Sequence, residues 1–594
     1  MHTLSDKAGL AVFACACMAY SVCGGTLTVQ FNSSMEVEID GVVQSFAASD
    51  TFTPTAIPCV YRMRPILANG ERTFGIKGSD EVRSEPYWRF PQYGDGNWVR
   101  VALNPYPSAD TTVTLTGYKT SNFYYVDSEH GDDDWDGSTA TIPTQEVIDA
   151  GGTVPGPKKS LQAANDTATG SYPIVFAAPG VYNAGVATNY SSGTSNPCVR
   201  RLVSTKNNIG FIATEGAEKT FIVGAPDTSG TDGKYGSESI AGVYMQPPAG
   251  NAQFLQGFTI TGCYSPAAQS GANQYGMGFC SGAHRAYCLD CVISNNYAVS
   301  QGSASYYGVI ERTRIMENES NQFVTRNGVF ISCVLARNRI IMSDSTASNR
   351  AQQQKAYSYF CTYDLRSSRQ ASGRKRLEDD DSLIYAAIVC GLTEKSSTTT
   401  NATRWLNGSR AIDDPKFVNV SARDYRLAGD SPAIDALSYA DDIGGVARRV
   451  ISSCDAYGAQ RIMNGAIDLG AAEYDWRPTF ALVLSKDFTV EYAAPSVTTN
   501  AAGGLLIASG DITGRFAEAG KYSLRAFIGG GSIYVYVGDV LVKTCSEIGE
   551  QTIGFAVSDP EEEVRIVYVP DAGNPVMAIL WRFSGPPGLR LIVR

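Results

Sequence analysis

The chain has 594 residues, enough for several domains, and its 59 glycines with only 18% charged residues describe a turn-rich β protein, neither helical nor disordered. A formal net charge of −11 argues against nucleic acid as a partner, because phosphate binding needs concentrated Lys and Arg. The one basic run, Arg374-Lys375-Arg376, is followed by Glu378-Asp379-Asp380-Asp381 and reads as a solvated loop of mixed charge.

Residues 1–24 read as a signal peptide. After Lys7 no charge occurs until Glu36, and the apolar run from Ala8 to Cys23 is short for a bilayer span but suits an export signal. Cleavage is expected after Ala19 or near Gly24; the alternative is a buried N-terminal segment. No later stretch is long and apolar enough to span a membrane, so the mature chain is expected to lack a transmembrane segment and to be secreted or held at the cell surface.

Residues 25–120 alternate apolar and polar in short runs, as in Leu27-Thr28-Val29-Gln30-Phe31 and Met35-Glu36-Val37-Glu38-Ile39, with Asp40-Gly41 as a hairpin turn. Trp98-Val99-Arg100-Val101 and Val113-Thr114-Leu115-Thr116 continue the pattern. The reading is a small antiparallel β-sandwich.

Residues 121–476 carry a repeat. The stretches Asp290-Cys291-Val292-Ile293-Ser294-Asn295, Thr313-Arg314-Ile315-Met316-Glu317-Asn318 and Ser332-Cys333-Val334-Leu335-Ala336-Arg337 each read as a short strand followed by a polar turn. A recurrence near 20 residues is what a stacked β-solenoid needs, since one coil cannot bury its apolar face alone. Val292, Ile315 and Val334 are expected to stack inward. Most cysteines of this region, among them Cys263, Cys280, Cys333, Cys361 and Cys390, occupy apolar positions and read as small buried hydrophobes. Cys288 and Cys291 form a C-x-x-C, but no second pair or His pair accompanies it, and the two are expected on opposite faces of a strand. The polar stretch 343–382 reads as an insertion looping out of the coil.

Ahead of the repeat stand Phe123-Tyr124-Tyr125-Val126-Asp127, Gly131-Asp132-Asp133-Asp134-Trp135-Asp136-Gly137, Lys158-Lys159-Ser160-Leu161-Gln162-Ala163-Ala164 and Ile174-Val175-Phe176-Ala177-Ala178-Pro179-Gly180. In that order they resemble the opening of bacterial right-handed parallel β-helix proteins of the pectin-lyase-like group. Ser160 suits a helix cap, with Leu161 and Ala164 closing the open end of the solenoid. Farther on, Asp414-Pro415-Lys416-Phe417-Val418, Asp424-Tyr425-Arg426-Leu427, Ser431-Pro432-Ala433-Ile434-Asp435 and Ile467-Asp468-Leu469-Gly470-Ala471-Ala472-Glu473-Tyr474 are similar to the tail of the choice-of-anchor Q group. The resemblances imply an all-β, right-handed parallel β-helix and a bacterial, extracytoplasmic location, without implying an activity. Residues 477–594 return to two-residue alternation in Ile533-Tyr534-Val535-Tyr536-Val537 and Val564-Arg565-Ile566-Val567-Tyr568-Val569, and read as a second β-sandwich-like domain.

The chemistry is sparse. His2, His130 and His284 are the only histidines, and none sits between glycines as the hydrolases of the resembled group require. The lyases of that group imply calcium-binding aspartates and an Arg or Lys base. Candidates of that type are Asp227, Asp232 and Lys234, then Glu311, Arg312 and Arg314, then Arg337 and Arg339. Arg312 and Arg314 are expected to share a strand face, where they read either as substrate ligands or as outward charges. Asp132, Asp134 and Asp136, alternate and followed by Gly137, resemble the start of a calcium loop; the alternative is an Asp-rich turn whose carboxylates cap backbone amides. Tyr306 and Tyr307, before a coil strand, and the pair Tyr357 and Tyr359 offer rings for stacking on sugars. Two functions follow: a surface or secreted β-helix protein that binds extracellular polysaccharide or a cell-surface component, or a lyase or hydrolase acting on an acidic glycan.

Overall fold

The computed structural model describes residues 26–474, apart from loop segments such as 191–197, 231–234, 266–275, 342–350, 371–376, 392–403 and 439–450, together with strands within residues 492–592. The expected signal peptide and the turn at Asp40-Gly41 lie outside the described residues. The chain is all-β, with two short helices among the described residues, and divides into two compact units, residues 1–474 and 475–594.

Among the described residues, three long and almost wholly parallel sheets dominate the first unit, in an arrangement consistent with a β-helix. Sheet I stacks ten strands from Phe123–Val126 through Ile174–Ala177, Ile209–Ala213 and Gln253–Gln256 to Arg404–Leu406. Sheet II stacks nine, from Gly180–Tyr182 to Arg410–Ala411, and sheet III eight, its first strand Ala187–Asn189 antiparallel to Cys198–Ser204 and the rest parallel as far as Glu378–Asp379. Inward residues alternate with outward ones, so Val175, Phe211, Leu255, Ile310 and Phe330 of sheet I enter one continuous core. The helix Leu161–Thr167 packs Leu161 and Ala164 into that core at its N-terminal end, and Ser160 Oγ accepts from the Ala163 amide at 3.1 Å.

The coils turn at residues with left-handed backbone. Asp290, Arg312, Ser332, Phe360 and Ala386 hold one corner at φ of 49–54°, and Asn295, Glu317 and Arg337 hold the next. The amides of Asp290, Arg312, Ser332 and Phe360 are satisfied by the neighbouring coil; that of Arg312, for instance, donates to the Ile331 carbonyl at 2.9 Å. Beside the second corner the buried side chains of Asn296, Asn318 and Asn338 form a ladder, Nδ2 to Oδ1 at 3.0 and 3.1 Å.

The corners correct the sequence register by one residue. The inward stack is Ile293, Ile315 and Leu335; Val292 and Val334 pair with Arg314 on the other side of sheet II. They also turn Cys288 and Cys291 to the same side: Asp290 swings the chain between them, and both thiols face the core. Residues 343–382 are not simply an insertion, since Ala351–Gln354, Tyr357–Tyr359, Thr362–Asp364 and Arg369–Gln370 supply a full coil.

Before the solenoid, a five-stranded and a four-stranded sheet share a core of Val29, Phe31, Met35, Met63, Ile76, Val101 and Leu115. Leu27–Phe31 runs parallel to Thr111–Thr120, so the larger sheet is mixed; alternation alone does not distinguish parallel from antiparallel neighbours. These sheets dock on the outer face of sheet I. The rings of Phe90 and Phe254 lie 4.4 Å apart, and the Trp88 amide donates to Tyr287 Oη at 2.9 Å. After the last coil, described parts of the tail pack on the solenoid's side, where Tyr425 and Ala471 cover Met316, Val334 and Ala336. In the second unit, antiparallel strands including Gly510–Phe516, Val564–Val569, Ser532–Val537 and Val540–Cys545 form one sheet, and Gly549–Val557, Gly520–Ile528 and Arg582–Ser584 another. Ile533, Val535 and Val537 are buried there.

Candidate functional site

The first coils of sheet I leave a cleft of about 850 Å³ between their outer face, the N-terminal sheets and the connecting residues Ala140 and Pro157. Its floor follows from strand alternation: with Tyr124 packed toward the core, Phe123 and Tyr125 must face out, and Tyr125 pairs in register with Phe176, Phe176 with Ile212, and Ile212 with Gln256. The Tyr125 and Phe176 rings stack at 5.8 Å, and Phe123 lies 5.9 Å from Phe176. A floor of this kind presents flat carbon faces with a phenol at one end.

Polar groups form the walls. The Arg72 guanidinium lies 5.1 Å over the Phe176 ring. Glu71 pairs with Lys119 at 2.7 Å, and that hydrogen bond, with one from the Ala68 amide, holds its carboxyl below the usual range. Asp127 Oδ1 accepts the amides of Glu129 and His130 at 2.9 and 3.0 Å. Asn97 Oδ1 accepts the Thr73 amide, and Gln256 Nε2 closes the far end by donating to the Pro91 carbonyl at 3.1 Å and to Asp290 at 2.8 Å.

The acidic loop beside the cleft is ordered by its own backbone. Asp132 Oδ1 accepts the Asp134 amide at 2.9 Å, and Asp136 Oδ1 accepts the Ser138 and Gly156 amides. Burial works against the Asp136 charge, yet these bonds and Lys158 bring its carboxyl below the ordinary value. Asp133, which sequence reasoning passed over, holds the helix: its Oδ1 accepts the Lys159 and Ser160 amides at 2.9 and 2.7 Å, and its Oδ2 accepts Ser160 Oγ at 2.8 Å. Among the described residues no group of three or more His, Cys, Asp and Glu side chains is arranged to hold a metal ion, and Asp132 and Asp136 each accept backbone amides of the loop.

The other expected ligands are not brought together. Tyr306 and Tyr307 meet edge-on at 4.7 Å where sheet III passes to sheet I, with His284 5.3 Å from Tyr307. Arg312 sits past the next strand, at a corner and not on a strand, so it shares no strand face with Arg314. It is 8% exposed and engages Asp290 at 2.6 and 3.0 Å, Ser452 Oγ at 3.0 Å and Glu311. Tyr87 Oη completes that network by donating to Glu311 at 2.8 Å. Arg314 pairs with the exposed Glu218, and Arg337 and Arg339 pair with Glu317 and Glu319. Asp227 accepts the Ser229 and Glu238 amides, while Asp232 and Lys234 lie outside the described residues. Tyr359 is buried and stacks on Tyr385, and Tyr357 is half-buried.

One constellation of three carboxylates around an arginine does exist, in the tail: Asp455, Asp468 and Glu473 with Arg461. All four are buried, Asp455 accepts the Tyr457, Ala459 and Glu473 amides, and Asp468 accepts the Asp435 amide. That arrangement fastens the tail. Fold and cleft thus define a parallel β-solenoid protein with an aromatic cleft on its side. The chain matches no protein-family model, no curated protein and no solved structure.

Proposed function

We propose that the chain is a secreted or cell-surface right-handed parallel β-helix protein of the pectin-lyase-like kind, with a choice-of-anchor type tail, that binds extracellular polysaccharide in the cleft over sheet I. The two N-terminal sheets act in this reading as a β-sandwich-like module that supplies one wall. The observation carrying the proposal is the floor of Phe123, Tyr125 and Phe176 beneath a rim of Arg72, Asn97, Asp127 and Gln256. Sugars combine carbon–hydrogen faces that stack on rings with hydroxyls that take hydrogen bonds from such a rim.

Calorimetric titration of the exported chain with a panel of oligosaccharides tests the reading. Binding is expected to weaken by roughly tenfold or more in Tyr125→Ala and Phe176→Ala, the loss of about 1.4 kcal/mol or more that a stacking ring contributes. Absence of binding to every saccharide, or binding untouched by both variants, refutes it. The absorbance of unsaturated uronate, followed in the same samples, tests for lyase activity.

A further inference from the structure

The cleft's dimensions and charge select among glycans, an inference that rests on the carbohydrate reading above. Its floor crosses four successive strands of sheet I, contributed by Tyr125, Phe176, Ile212 and Gln256 in register. Strand neighbours in a sheet are about 4.7–4.9 Å apart, so the floor advances about 14 Å along the solenoid axis. A pyranose with its linkage advances by a similar step, which matches one sugar residue to each interval between strands. Gln256, tied to the Pro91 carbonyl and to Asp290, closes the far end.

The charged groups of the lining are Glu71, Asp127 and Arg72. Lys119 stands behind Glu71 and is already paired with it, and Arg72 is spread over the Phe176 ring. With Lys119 counted the charges of the site cancel, so a run of three uronates finds no excess of positive charge to offset the desolvation of its carboxylates, and it meets Glu71 and Asp127 at close range. A neutral sugar meets no such opposition and has the carboxylates as acceptors for its hydroxyls. We propose that the cleft takes a neutral, unbranched glycan stretch of about three residues, extended along the solenoid axis, and discriminates against polyuronates.

The test is a titration of the full chain with neutral linear oligosaccharides of one to six residues and with oligouronates of the same lengths, at low and high salt. Affinity for the neutral series is expected to rise steeply up to three residues and then level, while the uronate trimer binds at least about tenfold more weakly and gains on adding salt. Glu71→Gln is expected to narrow that gap, since it removes one repelling charge and leaves the floor intact. A monosaccharide binding as well as the trimer, affinity still climbing from three to six residues, or uronates binding more tightly overturns this inference while leaving carbohydrate binding standing. If neither series binds, the carbohydrate reading itself falls.

Discussion

Arg312 separates two uses of a charged corner: holding a ligand and holding the protein together. It lies where the N-terminal sheets, the solenoid and the returning tail meet, since Tyr87, Asp290 with Glu311, and Ser452 belong to those three parts. Burial works against its charge, but Asp290 and Glu311 more than offset that, raising its pKa well above the ordinary value. Arg312→Ala therefore leaves Glu311, 7% exposed, and the partly covered Asp290 without their cation. Removing one partner of a buried ion pair costs about 3–5 kcal/mol. The control is Arg314→Ala, two residues away, whose partner Glu218 has a side chain 78% exposed and whose loss costs under about 1 kcal/mol.

Urea unfolding of wild type, the single variants Arg312→Ala, Arg314→Ala and Asp290→Ala, and the two double variants Arg312→Ala/Asp290→Ala and Arg314→Ala/Asp290→Ala measures this. A coupling of roughly 1–3 kcal/mol between Arg312 and Asp290 is expected, and none between Arg314 and Asp290. The reasoning is refuted if Arg312→Ala unfolds within about 0.5 kcal/mol of wild type, a change typical of a surface site. If that variant also loses saccharide binding, the residue is a ligand contact after all.

The remaining expectations are narrower. Ile315→Ala should cost about 2–5 kcal/mol in urea unfolding because it empties a site in the middle of the inward stack, whereas Val292→Ala, half-buried, should cost clearly less. Asp133→Ala removes three hydrogen bonds at the start of the helix Leu161–Thr167 and should lower the melting temperature equally with and without calcium; a calcium-dependent difference would give Asp132, Asp134 and Asp136 a metal role. Burial raises the Asp468 carboxyl to about 6, above its unfolded value near 3.8, so the folded state binds more protons between those values. Stability should therefore fall as pH rises through that window, and Asp468→Asn should flatten the slope measured by urea midpoints from pH 4 to 7.

Much of the solenoid is legible in the sequence because a coil repeats its own chemistry. What misleads is the corner. Thr313 stands where Cys291 and Cys333 stand in the neighbouring coils, all three buried, so matching the middle stretch by its Ile and Asn instead of its Thr shifts the frame by one residue. The Asn ladder gives the true steps, 22 and 20 residues from Asn296 to Asn318 to Asn338. A left-handed corner residue also breaks the alternation rule between Cys288 and Cys291, and between Arg312 and Arg314, since inside-outside parity holds only within an unbroken strand.

The cleft is less legible in the sequence for a different reason. Phe123, Tyr125 and Phe176 are visible in the sequence as alternating aromatics, but the sequence does not say whether the outer face of sheet I is bare or covered. Farther along the same outer face Tyr287 is buried against Trp88 and Phe90, and Tyr359 in the cluster that includes tail residues Leu469 and Ala472. The same residue type thus serves as packing at one coil and as an open surface at another, and what decides is where chain segments more than a hundred residues away come to rest. Tyr306 and Tyr307 attract attention as adjacent rings, yet they face each other edge-on, while Tyr125 gains its role from Phe176, 51 positions along the chain. In a solenoid the coil pattern is local and reads out directly. Binding surfaces depend on which outer faces the flanking segments leave uncovered, and that information is carried by docking contacts such as Phe90 on Phe254, not by the repeat.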